Sequence, residues 1–242
     1  VYAPERQRQP TDSAIFLGCA FEKTVLSLLQ RHRSKQGNSF PLEPPMTSPV
    51  ISIAVHSGYG HTAAIADAVR DGAADTGATV HLIKVDEITE EQWQLLDGSD
   101  AVIFGSPTYM GGASSAFHAF AEASAKRWFG RTWQDKLAAG FTNSGSKSGD
   151  KQATLQFLSG FAAQHGMTWV NLGLLPGWNA SNASENDLNR LGFFLGAGAQ
   201  SNTDQGVEGV HKADLATAEH LGRRVAEQAR IFAAGKAAGS AA

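Results

Sequence analysis

Residues 51–65 read ISIAVHSGYGHTAAI, an apolar strand that runs without a linker into Ser57-Gly58-Tyr59-Gly60-His61-Thr62 and then into a helix-forming run. A strand that turns into a helix through glycines leaves backbone N–H groups free at the helix N-terminus, where the helix dipole is positive. Such a junction holds phosphate, because the glycines allow the backbone to wrap closely and the hydroxyls of Ser57 and Thr62 add donors.

The identity of the phosphate is the next question. The spacing Gly58-x-Gly60-x-x-Ala63 satisfies the dinucleotide fingerprint, and Asp86 near the end of the next strand is placed to meet a ribose, so an NAD-dependent Rossmann dehydrogenase is one reading. No Gly-Lys-Ser/Thr follows, which excludes a P-loop nucleotidase. The density of side-chain donors at Ser57, Tyr59, His61 and Thr62 favours a terminal phosphate monoester such as that of FMN, since a bridging pyrophosphate is met mainly by bare backbone.

From this junction the pattern extends along the chain. Apolar runs at 50–55, 79–85, 100–105, 137–142 and 168–174 alternate with helix-like segments. Five such strands separated by helices predict an α/β fold, a doubly wound five-stranded parallel sheet with helices on both faces. The first helix carries Ile65, Ala68, Val69 and Gly72 on one side. A third segment, capped by Ser114-Ser115, sets Phe117, Phe120, Ala121, Ser124 and Trp128 at helical spacing. The last helix buries Leu215, Leu221, Val225 and Phe232, with Arg223, Arg224 and Glu227 outward. Residues 176–213 break the pattern with Gly, Asn, Ser and Asp, a long irregular connection of the kind that tends to be functional.

Ligands of open parallel sheets bind beyond the carboxyl ends of the strands. Three loops leave such ends: the 57–62 turn, then Gly105-Ser106-Pro107-Thr108-Tyr109-Met110-Gly111-Gly112, then Thr142-Asn143-Ser144-Gly145-Ser146-Lys147-Ser148-Gly149. The second suits close approach to a flat ring, and the third offers many N–H and O–H donors.

Composition narrows the classes further. The 242 residues, 42% of them apolar, are enough for one α/β domain plus an appendage. A net charge of −3 leaves no basic field for nucleic acid and lacks the strong acidity of dedicated electron shuttles, so a small-molecule substrate is expected. Cys19 is the sole cysteine and the eight histidines show no ligand spacing, which excludes internal disulfides and thiolate or H-E-x-x-H metal sites. No apolar run is long enough to span a bilayer, and a cytoplasmic location is expected. The centre of Gly145-Ser-Lys-Ser-Gly149 is Lys147, so no nucleophile elbow is present.

Residues 1–45 are expected to be a disordered extension or sequence upstream of a natural start at Met46. Within them, Ala14–Phe21 is too short for a convincing signal core, and Val25, Leu28 and Leu29 suit a short amphipathic helix. The domain proper is expected over 46–242.

The turn Tyr59-Gly60-His61, the loop Ser106 to Gly112, the run Thr142 to Ser146 and the segment Gln164-His165-Gly166-Met167, in that order, resemble the WrbA family of flavodoxin-like, FMN-dependent NAD(P)H:quinone oxidoreductases. The resemblance covers roughly residues 48–235. It implies that Ser57, Gly58, Tyr59, Gly60, His61 and Thr62 hold the FMN phosphate, with Tyr59 also near the nicotinamide nucleotide. It implies further that Thr108, Tyr109 and Met110 line the isoalloxazine, and that Asn143, Ser144, Gly145, Ser146, Lys147 and Ser148 meet its polar edge and the ribityl chain. His165 matches the family's flavin-site histidine, which completes a neighbouring subunit's pocket in homo-oligomers and is the expected catalytic residue. Trp128 matches the tryptophan bordering the substrate space. Where the family has Pro-Thr-Arg-Phe-Gly-Asn this chain has Pro107-Thr108-Tyr109-Met110-Gly111-Gly112, and Lys147 and Asp150 replace small residues. FMN binding is expected to survive these changes. The implied activity is two-electron transfer from NADH or NADPH to a quinone. An FMN-binding electron carrier without catalysis is the alternative.

Overall fold

Strand β1 (Val50–Val55) sends Ile51, Ile53 and Val55 to one face and Ala54 to the other, all buried, as a central strand covered on both sides requires. Its one polar interior residue, Ser52, is satisfied through its hydroxyl by Ser99 Oγ at 2.7 Å. The computed structural model describes residues 48–240, so the expectations for residues 1–45 lie outside the described residues.

After β1 come α1 (His61–Ala74), β2 (Thr79–Lys84), a 3-10 turn at Val85–Glu87, α2 (Glu90–Gly98), β3 (Ala101–Tyr109), β4 (Gly112–Ala113), α3 (Ser115–Ala123) and α4 (Ala125–Phe129). They are followed by β5 (Leu137–Ser144), α5 (Lys151–Gln164), β6 (Thr168–Trp169), β7 (Ala197–Gln200), a 3-10 turn at Val207–Gly209 and α6 (Lys212–Ser240). The sheet order is β2-β1-β3-β5-β6, all parallel, with the chain reversing direction across the sheet between β1 and β3. This is the expected α/β, flavodoxin-like doubly wound arrangement.

Two cores sandwich the sheet. On one side, α1 and α6 bring Ile65, Val69, Leu221 and Val225 against Ile51, Ile53, Ile103 and Phe141. The two helices cross at Gly72 and Gly222, where any Cβ would run into the facing backbone at Glu219 and Val69. On the other side, Phe117, Phe120, Trp133, Leu158 and Phe161 pack on Val102 and Phe104.

The fifth strand differs from expectation. Of 168–174, only Thr168 and Trp169 form a strand, beside Leu137 and Ala138; the rest of that sheet position is filled by β7, whose Ala197–Gln200 pairs in parallel with Phe141–Ser144. The segment between leaves and re-enters the sheet. Ala-Gly-Ala-Gln has no β-branched or aromatic residue and so carries no strand signal. It is held there by fit, since a Cβ at Gly198 would collide with the Phe193 ring and one at Gly196 with the Gly140 carbonyl.

The expected third helix is two helices. They break at Ser124, whose hydroxyl donates back to the Ala121 carbonyl at 2.7 Å. Trp128 therefore leaves the core stripe and is 41% exposed, in edge contact with the still more exposed Phe129.

Candidate functional site

The phosphate turn is built by Ser57 and Gly60. Ser57 Oγ accepts from the amides of Gly60 at 3.2 Å and Ala63 at 3.1 Å, and Gly60 caps the helix at φ 90°, a conformation natural to glycine alone. The first intrahelical bond runs from Ala64 N to Gly60 O, so the amides of His61 and Thr62 precede the helical ladder and remain available.

The second and third loops begin as strands. β3 continues through Ser106 to Tyr109 and turns back at Met110 and Gly111, both at positive φ, into β4. β5 continues to Ser144, so Ser106 lies beside Thr142 and Pro107 beside Asn143. The Thr108 hydroxyl is bonded to the hydroxyls of Thr142 and Thr154, each at 2.8 Å, which locks the two strand ends together. Tyr109 ties the second loop to the first: its ring meets Tyr59 edge-on at 6.2 Å, and its hydroxyl lies over Gly58, where a Cβ would come within 2.7 Å of it. Desolvation raises the Tyr109 pKa above the ordinary phenol value, with Tyr59 adding to the shift and the Gly58 amide opposing it, so the phenol stays neutral.

The three strand ends enclose one cleft of about 540 Å³, lined by Tyr59, His61, Thr62, Pro107, Thr108, Tyr109, Asn143, Ser144 and Gly145. That volume lies in the range of cofactor sites. A fourth strand end, after β7, adds Ser201, Thr203 and Gln205, which sequence reading missed because β7 has no strand signature. No local signal in the sequence marks them, because the tract of small residues before them does not read as a strand. His61 holds this fourth segment, its Nε2 lying 2.9 Å from the carbonyls of both Gln205 and Gly206.

The cleft fits FMN on two observations. Asn143 is buried and lines the cleft; its Nδ2 donates to Ser201 Oγ at 2.9 Å while its Oδ1 has no partner among the described residues, an acceptor suited to a ring N–H. Gly58 leaves open the space that a side chain would fill beneath Tyr109.

Other expected residues stand elsewhere. Met110 is fully exposed at the tip of its turn, outside the cleft lining. Ser57, Gly58 and Gly60 shape the phosphate turn from behind, and Ser146, Lys147 and Ser148 face solvent on the outer side of their loop. Lys147 places its ammonium 5.0 Å from the centre of the Trp178 ring. Asp86, the ribose ligand of the dehydrogenase reading, does not line the cleft either.

His165 and Trp128 line a different cleft of about 520 Å³ between α3, α4 and α5, together with His118 and Phe157. His165 is buried between Trp133, at 4.5 Å, and Phe161, at 4.9 Å; its Nε2 is 2.9 Å from Ser124 Oγ and its Nδ1 has no partner among the described residues. Burial drives its pKa down to about 4, so it is neutral near pH 7. Within one chain it is not at the cofactor cleft.

The residue that sequence reading passed over is Lys151. It shares a buried stripe with Thr154, Leu155 and Leu158, an i, i+3, i+4, i+7 pattern in which a lysine stands out. Its Nζ donates to Ser144 Oγ at 2.7 Å and to the carbonyls of Ser146 and Lys147.

Comparison with known proteins agrees with this geometry. The model of the NADPH-dependent FMN reductase family matches residues 52–177. Flavodoxin FldP of Pseudomonas aeruginosa is 44% identical over 173 residues, covering 70% of this chain and 91% of that protein. An NAD(P)H dehydrogenase (quinone) of Archaeoglobus fulgidus is 33% identical over 202 residues, covering 74% and 96%. Among solved structures, a flavodoxin, WrbA-like protein from Agrobacterium tumefaciens superposes with a TM-score of 0.61 at 43% identity, covering 76% of this chain and 99% of that one. These matches set aside the Rossmann dehydrogenase reading. The chain belongs to the NADPH-dependent FMN reductase family, in its flavodoxin-like, WrbA-type branch, whose cofactor is FMN and whose electron donor is NAD(P)H.

Proposed function

We propose that this chain transfers two electrons from NADH or NADPH to a quinone. The observation that carries the proposal is the convergence of the strand-end loops on a single cleft with a phosphate turn at one end and an unpartnered acceptor, Asn143 Oδ1, in its wall. The residues of this cleft would hold FMN, which would supply acceptance of hydride from the nicotinamide and delivery of electrons to the quinone.

The chain's residues bind, orient and shield. The 57–62 turn takes the phosphate on the amides of His61 and Thr62. Asn143 reads the ring's polar edge, and Ser144 and Gly145 extend that wall. Tyr59, 81% exposed, and Tyr109, 38% exposed, stand at the mouth and offer aromatic faces to an incoming nicotinamide or quinone. Among the described residues no carboxylate or lysine lines the cleft, and His61 is engaged with the Gln205 and Gly206 carbonyls, which suits a reaction whose bond changes occur on the cofactor and its substrates.

A homo-oligomer belongs to the same proposal. Trp128 and Phe129 are exposed side by side and available to border a neighbouring copy's substrate space. The expected catalytic role of His165 reduces to supporting that wall through Ser124, because its own ring is buried and unprotonated.

The name of the 44% identical relative, a flavodoxin, favours a second reading: an FMN-binding electron carrier. The test is to record the visible spectrum of the purified chain with added FMN and then assay benzoquinone reduction with NADH and with NADPH. Flavin uptake with multiple turnovers supports the oxidoreductase. Uptake without turnover supports the carrier, and absence of uptake overturns both.

A further inference from the structure

Lys151 is a buried cation with no counter-ion. Its side chain is 0% exposed, and it makes no ion pair among the described residues. Its three partners are neutral oxygens, Ser144 Oγ and the carbonyls of Ser146 and Lys147. It is also the first residue of α5, where the helix dipole is itself positive, so two sources of positive potential coincide. Removing an ammonium from water without an opposing charge is costly, and folds keep such groups when something else compensates them.

The charged groups that act on Lys151 from packed elements are Asp214 on α6, which favours its protonated form, and Arg190, which opposes it. The influence of Asp214 is the larger and is opposed by Arg190, to which Asp214 is joined in a buried bidentate pair with both contacts at 2.8 Å. On the loop itself, Lys147 turns to Trp178 and Asp150 is exposed. Among the described residues, Lys151 therefore has no carboxylate in direct contact.

The loop that holds the ammonium also reaches the cofactor cleft. Ser144, the hydroxyl that accepts from Lys151, lines it, as does the next residue, Gly145. The Gly145 carbonyl accepts from Gln200 Nε2 at 3.1 Å. Gly149, at positive φ, brings the loop back over Ser144, where any Cβ would occupy the position of Ser144 Oγ. The loop is folded around the ammonium.

We propose that Lys151 is an electrostatic positioning residue for the cofactor, placing its charge behind the 144–149 loop to stabilise the negative charge that FMN acquires on two-electron reduction. The inference rests on FMN occupying the cleft. The other lysine of this loop, Lys147, is not placed for that role, because its ammonium is engaged with Trp178. Burial lowers the Lys151 pKa to about 8, so the free protein carries the charge at neutral pH and gives it up as pH rises through that value.

The test compares wild type with Lys151→Met by measuring the midpoint potential of bound FMN alongside the dissociation constant of oxidised FMN, from pH 7 to pH 9. The expected result is that wild type at pH 7 prefers reduced over oxidised FMN at least about tenfold more strongly than the variant does, and that this advantage shrinks above pH 8. Equal potentials in the two proteins, or a difference that does not change with pH, overturn the proposal. A loss in the variant confined to oxidised FMN and absent with riboflavin assigns the charge to the phosphate and also overturns it. If the variant does not fold, the wild-type preference alone decides, since it must weaken as pH rises through about 8. Failure of wild type to take up FMN is a different outcome, because it overturns the cleft assignment itself, and FMN uptake without quinone turnover leaves this test intact.

Discussion

Gly58 and Tyr109 show how one missing side chain links two loops. A Cβ at position 58 would come within 2.7 Å of the Tyr109 hydroxyl, so Gly58→Val must push the phenol out of the cleft wall. FMN affinity should fall by about tenfold, equivalent to roughly 1.4 kcal/mol, with little change in the thermal midpoint because the turn is exposed. Unchanged affinity in a flavin-fluorescence titration would show that Tyr109 does not position the ring. His165 supports a prediction about stability. Its folded pKa, about 4, lies below the ordinary 6.5, so the unfolded chain binds a proton that the folded chain refuses between those values. The stabilisation is complete above pH 6.5 and is lost as pH falls toward 4, an effect on the order of a few kcal/mol. Urea unfolding across this range should show a steeper pH dependence in wild type than in His165→Gln; parallel curves would mean that the ring titrates normally. The tight glycine turn at 57–62 was legible in sequence because its glycines and hydroxyls carry the information locally. Lys151 was not, because a lysine is read as solvated unless the surrounding buried stripe is noticed.

At the scale of elements, the fifth strand was the hard case. Strands β1, β3 and β5 are apolar runs whose burial on both faces is written in the sequence. β7 is a tract of small residues that takes its place because Gly196 and Gly198 fit against Gly140 and Phe193, a relation between distant residues that no local pattern records. The elements around it are joined by Arg190, which forks onto Asp214 of α6, while Asp214 also accepts from the Gln200 amide of β7 at 2.9 Å. Removing one partner of such a buried pair strands the other. Asp214→Ala should cost about 3–5 kcal/mol in chemical denaturation, and hydrogen exchange should rise first at β7. A loss under about 1 kcal/mol would place the pair among solvent-screened surface bridges. The break between α3 and α4 has a similar origin, since the Ser124 side chain takes up a carbonyl that a continuous helix would have used.

Across the whole molecule, the sheet order turns separate loops into one site. Reversal of the chain between β1 and β3 opens a crevice at the strand ends, and the parallel register of β3 with β5 sets Pro107 directly beside Asn143. The ordered motifs were enough to anticipate the fold and the three loops, but not the fourth wall at Ser201, Thr203 and Gln205, nor the separation of His165 and Trp128 into another cleft. That separation follows from the layering: both lie with the helices on the Phe117 face of the sheet. No helix among the described residues is long and apolar enough to cross a membrane. The central claim, that four strand ends form a single FMN cleft, is tested most directly by a crystal structure of the full chain with FMN. The phosphate is expected on the amides of the 57–62 turn and the ring between Tyr109 and Asn143. A flavin bound instead beside Trp128 and His165 of the same chain, with the strand-end cleft left empty, would contradict it.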